Sequence, residues 1–380
     1  MSIQELISGE RFSVVYRLKG TEKEARSMAE DICLEQTVEF PRHLIQSQTI
    51  LEHVVGRIEN FEKAQEDSFL AEISFAIETT AGELTQLLNV IFGNISIKPR
   101  IYVEKLVFPK AMLQNFSGPR FGIEGLRKKL SVYQRPLLAT ALKPMGLTSK
   151  ELAELCYKFA LGGIDIIKDD HGLTNQIFSS FEERVSLCAQ SVQEANHKTG
   201  YSCIYAANIT SPLESIQKRA EYARDNGAGA IMLAPGIVGL DTLRWIADNE
   251  SLSLPLISHP AFQGSYLLGE TGISHLCLLG QIARLSGADA TIYPNFGGRF
   301  SFSKDECKSI VQGTSIYMEN IKPIFPMPGG GMSLECIPEL MDIYGKDVIY
   351  LVGAGLFKYS QDLVKSSIHF RQIVEKAFQR

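Results

Sequence analysis

Lys168, Asp169, Asp170 and His171 follow one another directly after Gly162-Gly163-Ile164-Asp165-Ile166-Ile167. Carboxylates and an imidazole are ligands for a hard divalent cation. Lys168 is the misfit, because an ammonium beside two carboxylates repels such an ion. Carbamylation by carbon dioxide would reverse that, turning the side chain into an anionic oxygen ligand. The same residues allow a plainer arrangement, in which Asp169 and Asp170 cap the next helix and Lys168 pairs with one of them.

A strand end must display this tetrad. The apolar run Ile164 to Ile167 after a paired glycine reads as a buried parallel strand. Similar runs occur at Pro136 to Leu142, Cys203 to Ala207, Ala230 to Ala234, Leu254 to Ile257, Ala290 to Tyr293, Pro323 to Met327 and Val348 to Val352. Amphipathic helices separate them, among them one from Ser149, one over Leu213 to Asn226 and one over Gly272 to Leu285. Eight strand-helix alternations over roughly 250 residues specify a (β/α)8 TIM barrel, an α/β fold, with an open doubly wound sheet as the competitor. The barrel is expected over residues 126–380. Before it, residues 1–125 give strand (11 to 20), helix (from Thr21 towards Glu35), strands (His53 to Phe61, Ser68 to Glu78), helix (Ala81 to Phe92) and strand (Arg100 to Phe108). That order predicts a ferredoxin-like α+β N-terminal domain.

Catalytic loops of a barrel gather just beyond the strand ends. There the chain carries Lys143-Pro144-Met145-Gly146, the tetrad, Asn208, Ser258-His259-Pro260 and Pro294-Asn295-Phe296-Gly297-Gly298-Arg299. The last two strands run into Gly329-Gly330-Gly331 and Gly353-Ala354-Gly355. Glycine turns opening helices offer bare amides to a phosphate, although either alone reads equally as a tight loop. Lys143 is a proton carrier or a fixed charge for phosphate. His259 is a substrate partner or a satisfied strand-end histidine. Asn208 reads as a loop cap, and Arg299 as an anion contact or a solvated lid residue.

Thirty-eight basic against forty-three acidic side chains in 380 residues, with no block of one sign, disfavour nucleic acid and anionic membranes as partners. Seven cysteines without CxxC spacing read as reduced, buried thiols, and no uncharged run approaches the roughly 18 residues of a membrane span. A cytoplasmic protein is expected, and the sequons at Asn94, Asn115 and Asn208 are chance matches.

Gly-Gly-Ile-Asp-Ile-Ile-Lys-Asp-Asp, the Lys143-Pro144 pair, the two glycine turns and Phe116-Ser117-Gly118-Pro119-Arg120-Phe121-Gly122-Ile123 together resemble the ribulose-bisphosphate carboxylase superfamily, and more closely its Rubisco-like (form IV) proteins. The likeness covers nearly the whole chain. It implies Mg2+ held by carbamylated Lys168 and Asp170, an active-site lysine at Lys143 and a substrate-contacting histidine at His259. It also implies phosphate turns at Gly330, Gly331, Gly353 and Ala354. Glu35 and Asn94 match residues that reach into a neighbouring subunit's active site, which implies a homodimer. The departures are His171 for a metal-binding glutamate, Met145 for a lysine, Pro260 for an arginine, Gln263 for a histidine, and no lid lysine, with Arg299 close by.

A carboxylase is not expected from that set. What remains suits proton abstraction beside the ketone of a sugar monophosphate, with Lys143, Lys168 and His259 as catalytic candidates and Lys168, Asp170 and His171 as metal candidates. Within the resemblance, the lid sequence and the apolar Met145, Pro260 and Phe262 favour the isomerase acting on 5-methylthioribulose 1-phosphate in methionine salvage. The alternatives are the 2,3-diketo-5-methylthiopentyl-1-phosphate enolase, which uses an N-terminal lysine near Asn94 where Lys98 is the nearest here, a decarboxylase or hydrolase of a sugar acid phosphate, and a catalytically silent binding homologue.

Overall fold

Burial along β1 (Arg11–Lys19) alternates residue by residue, with Phe12, Val14, Tyr16 and Leu18 wholly buried, as expected for a half-covered strand. The computed structural model describes residues 3–378. Thr21 and Glu24 cap each other reciprocally, which starts the helix Glu22–Glu35 where the sequence places it. β2 (Arg57–Gln65) begins later than the expected His53, because Ser47 accepts from the Ile50 N–H and nucleates a short helix, Gln48–His53. β3 (Ser68–Ala76), the helix Leu84–Phe92 and β4 (Ile101–Val107) complete the unit. The strands pair antiparallel in the order β4-β1-β3-β2, the ferredoxin-like arrangement.

The second sheet is all parallel. It comprises β5 (Leu137–Ala141), β6 (Ile166–Lys168), β7 (Ile204–Asn208), β8 (Ala230–Leu233), β9 (Leu256–Ser258), β11 (Ala290–Pro294), β12 (Phe325–Gly329) and β13 (Ile349–Leu351), in the order β12-β11-β9-β8-β7-β6-β5-β13. Where β12 meets β13, a Cβ at Gly329 would lie 3.0 Å from the Leu351 side chain, so the glycine lets the two ends of the ladder approach. The result is a TIM barrel of eight strands.

β10 (Gly272–Ile273) does not join it. The expected helix over Gly272 to Leu285 is corrected at its start: Gly272 pairs with Tyr102 and Ile273 with Val103, adding a parallel fifth strand beside β4. The Ser274 N–H then donates to Val103 O at 2.8 Å, and its hydroxyl to Glu104 O at 2.6 Å. Gly272 tolerates this because a Cβ there would sit 2.2 Å from Tyr266 O. Helical backbone follows from His275, with a π-helical stretch over Cys277–Ile282.

Strand parity decides what faces the barrel axis. Leu137, Ala139, Ile166, Ala206, Met232, Ile257, Ile292, Phe325 and Ile349 form one buried cluster inside the barrel. Their neighbours Leu138, Ile167, Tyr205, Ala207, Ile231, Tyr293 and Tyr350 belong to the layer shared with the helices. Two residues beyond Ile166 on the inner face comes Lys168, then Asp170; two beyond Ile257 comes His259. Asp169 falls on the outer parity. The opposite end of the barrel is stapled separately, where Arg135 donates to both oxygens of Asp165 at 2.6 and 2.8 Å.

Candidate active site

Lys168 ends β6 and is 2% exposed. Its Nζ donates to the Asp169 carbonyl at 2.7 Å. Burial pushes its ammonium down to about 8, against the opposing pull of Asp170 and Asp169. The Asp170 Oδ1 lies 2.6 Å from Lys143 Nζ and 3.5 Å from His171 Nδ1. Burial alone would raise this carboxyl, but His171, Lys143 and Lys168 together hold it well below the usual carboxylate range.

His171 is half exposed and lies flat on His259, with ring centroids 4.6 Å apart and planes 13° from parallel. The Ala261 N–H donates to His259 Nδ1 at 3.2 Å, which puts the ring proton of a neutral His259 on Nε2. Burial, with Lys168 and His171 adding to it, pushes this imidazole well below its ordinary range, so it is neutral at neutral pH. Lys143, Lys168, Asp170, His171 and His259 are therefore one cluster at the C-terminal mouth.

The plainer reading of the tetrad does not hold. The next helix, Phe181–Thr199, is capped by Ser180, and Asp169 is engaged elsewhere. Its carboxylate is wholly buried against Arg184, whose Nε stands 3.2 Å from both oxygens, and it also accepts from the Tyr205 hydroxyl at 2.7 Å and the Asn208 N–H at 3.0 Å. The sequence reading missed Arg184 and Tyr205. Asn208 does act on a loop, its Nδ2 donating to His171 O at 3.0 Å and Leu173 O at 2.9 Å.

Gly330 and Gly331 take φ of 78° and 116°, a region that favours glycine. The Arg299 N–H donates to Gly330 O at 3.2 Å, while its exposed guanidinium sits 5.2 Å from the Phe300 ring centroid. Gly353 precedes the short helix Ala354–Tyr359, and a Cβ on Gly355 would lie 3.0 Å from Met332 O, so the two glycine turns adjoin. Met145 covers the tetrad's loop: a Cβ on Gly172 would meet its methyl at 2.5 Å. Phe262 stands 71% exposed at φ 69°, and the buried Gln263 Oε1 has no hydrogen-bond partner among the described residues.

Among the described residues, Glu35 and Asn94 make their side-chain contacts away from this mouth. Asn94 Nδ2 donates to Glu35 Oε1 at 3.1 Å, and Lys98, close to Asp31, lies 3.9 Å from Glu35 Oε2.

Among the described residues no three His, Cys, Asp or Glu side chains converge as metal ligands. The donor set becomes adequate once Lys168 is anionic, for then Lys168 and Asp170 supply two charged oxygens beside the His171 imidazole. The residues fit a hard divalent ion on that condition.

Residues 122–378 match the family described as ribulose bisphosphate carboxylase large chain, catalytic domain. The chain belongs to that family. Among Rubisco relatives, the 5-methylthioribulose-1-phosphate isomerase of Rhodospirillum rubrum is 34% identical over 98% of each chain. A 2,3-diketo-5-methylthiopentyl-1-phosphate enolase of Geobacillus thermodenitrificans is 29% identical, over 94% of this chain and 90% of its own. The crystal structure of a Rubisco-like protein from Rhodopseudomonas palustris superposes with a TM-score of 0.87 at 35% identity, covering 97% of this chain and 98% of that one. The Rubisco-fold likeness thus spans both sheets. No helix among the described residues is long and apolar enough to cross a membrane.

Proposed function

We propose that this Rubisco-like chain is a sugar-phosphate isomerase that moves a proton beside a ketone, with 5-methylthioribulose 1-phosphate as substrate, and not a carboxylase fixing CO2. The observation that carries the reading is the convergence of Lys143, Asp170, His171 and His259 around buried Lys168 at the barrel mouth. Identity to the Rhodospirillum rubrum isomerase across nearly all of both chains supports the substrate. So does half-exposed Met145 beside the loop that carries Asp170, an apolar seat for a methylthio group together with Pro260 and Phe262.

In this reading carbamylated Lys168, Asp170 and His171 hold Mg2+, which when bound supplies a Lewis acid for the charge that develops on the ketone oxygen. Lys143, which reaches the same carboxylate, takes and returns the proton in this reading. Neutral His259 donates from Nε2 to a substrate oxygen. Amides at Gly330, Gly331, Gly353 and Ala354 hold the phosphate, with Arg299 as the nearby cation. A homodimer belongs to the reading, with Glu35 and Asn94 serving a neighbouring copy's site.

The enolase is the second reading, supported by the Geobacillus relative. It calls for an N-terminal lysine as base, and Lys98 is already engaged by Asp31 and Glu35. Incubation with 5-methylthioribulose 1-phosphate, Mg2+ and bicarbonate in deuterium oxide separates the cases. A deuterated isomeric product is expected. Exchange without a new product removes the isomerase, and no exchange favours the silent homologue.

A further inference from the structure

The ion pair of Asp169 and Arg184 has no exposed atom on either side chain, although both are charged. Removing two charges from water costs several kcal/mol per ion, so such a pair is a poor device for stability alone. Its geometry suggests another use. Arg184 holds Asp169 through Nε, Thr174 O through Nη2 at 2.7 Å and Ser179 O through Nη1 at 3.1 Å, so one guanidinium gathers both ends of the loop that follows β6. Asn208 ties the stretch between them at His171 O and Leu173 O, while its own N–H returns to Asp169. Tyr205, on the outer face of β7, fixes Asp169 Oδ1.

Every anchor lies on backbone carbonyls or on the outward-facing carboxylate. The side chains of Lys168 and Asp170, of opposite parity to Asp169, are left free to face the mouth. The Asp169 carbonyl that accepts from Lys168 Nζ belongs to the held residue, so the clamp also aims the amine.

We infer that Asp169, Arg184, Tyr205 and Asn208 form a clamp behind the mouth whose role is to preset Lys168 and Asp170 for carbon dioxide capture and divalent-cation binding. They are positioning residues, and the inference rests on the carbamate reading above. In the step they serve, the Lys168 nitrogen lone pair forms a bond to the carbon of CO2. One C–O π pair moves onto oxygen, and a nitrogen-bound proton leaves to solvent, giving a carbamate of charge −1. Without the clamp the amine and the Asp170 carboxylate lose their fixed relation, although neither is altered.

The test uses the full-length protein and two mild variants, Asn208→Ala and Tyr205→Phe, with Arg184→Lys as a third. Carbamate on Lys168 is trapped by alkylation after exposure to labelled CO2 and located by peptide mass. Mn2+ binding is followed by electron paramagnetic resonance, and the thermal midpoint is recorded alongside. Both Asn208→Ala and Tyr205→Phe should trap less label and bind Mn2+ about 10-fold or more weakly while remaining folded, the range seen when outer partners of metal ligands are removed. Folded variants with wild-type trapping and wild-type Mn2+ affinity would overturn the clamp alone. A wild-type protein that traps no label on Lys168 would overturn the carbamate reading and the clamp with it.

Discussion

The His171 ring stacks on His259 at 4.6 Å, while its Nδ1 faces the Asp170 carboxylate at 3.5 Å. His171 therefore links the metal-candidate carboxylate to the histidine proposed to touch substrate, at the one tetrad position where the chain departs from the family's metal-binding residues.

Replacing that imidazole by a carboxylate should strengthen cation binding. His171→Glu is expected to bind Mn2+ at least about 10-fold more tightly in the presence of CO2, because an anionic oxygen is the better donor for a hard ion. Titration by calorimetry or paramagnetic resonance checks this, and unchanged affinity would place His171 outside the cation's shell.

Activation should depend on pH through Lys168. Only the free amine reacts with CO2, and burial lowers the ammonium from 10.5 to about 8. At constant dissolved CO2, the initial rate of carbamate formation should rise about 10-fold per pH unit below about 8, following the free-amine fraction, and level off above it. The linked stability has a definite sign. The folded protein binds this proton less tightly than the unfolded chain, so burial of the ammonium costs stability below about 8. That cost is relieved as pH rises from about 8 towards 10.5. The initial rate of label incorporation at fixed CO2, measured from pH 6 to 9.5, gives the profile; a flat curve refutes it.

His259→Gln and Lys143→Gln should each lower turnover by about 10²- to 10⁴-fold, the usual contribution of a proton-transferring or hydrogen-bonding group. Deuterium exchange should vanish in Lys143→Gln and persist, slowed, in His259→Gln. A His259 that only completes a strand end would instead lower the melting temperature and leave turnover intact.

Gly331 provides a probe of the phosphate turn. Its φ of 116° and a would-be Cβ 3.1 Å from the Arg299 nitrogen mean that Gly331→Ala strains the turn by about 1–3 kcal/mol and moves the amides. KM for the phosphorylated substrate should rise with little change in Mn2+ affinity. Equal losses of both would mean that the turn supports the whole mouth and not the phosphate alone.

Much of this arrangement could be read from residue order. The eight apolar runs coincide with the eight barrel strands because each is buried on both faces, and the glycine turns and tetrad follow strand ends. Parity within Ile166-Ile167-Lys168-Asp169-Asp170 could have sent Asp169 outward to a partner, but Arg184 sits in a helix beyond a long loop, where spacing gives no register. The stacking of His171 on His259 joins loops from non-adjacent strands, which no periodicity encodes. Ser47 was a cap signal hidden before a short helix, and Gly272 looked like a helix start because its pairing partner lies in another sheet. Glu35 and Asn94 satisfy each other in one chain, so their expected service to a neighbour has no counterpart in intrachain contacts.

The strand Gly272–Ile273 makes the loop after β9 a bridge with two abutments. One end, at Ser258, is set in the barrel wall; the other, at Gly272, is set in the N-terminal sheet beside Tyr102. Lys19 reaches across to Glu270 at 2.8 Å, and the Arg100 N–H bonds Thr271 Oγ1 at 2.8 Å, near the second abutment. His259, Phe262 and Gln263 ride on the span between them. Any rocking of one sheet against the other must stretch or slacken that span, so the smaller sheet holds a lever on His259 from a distance.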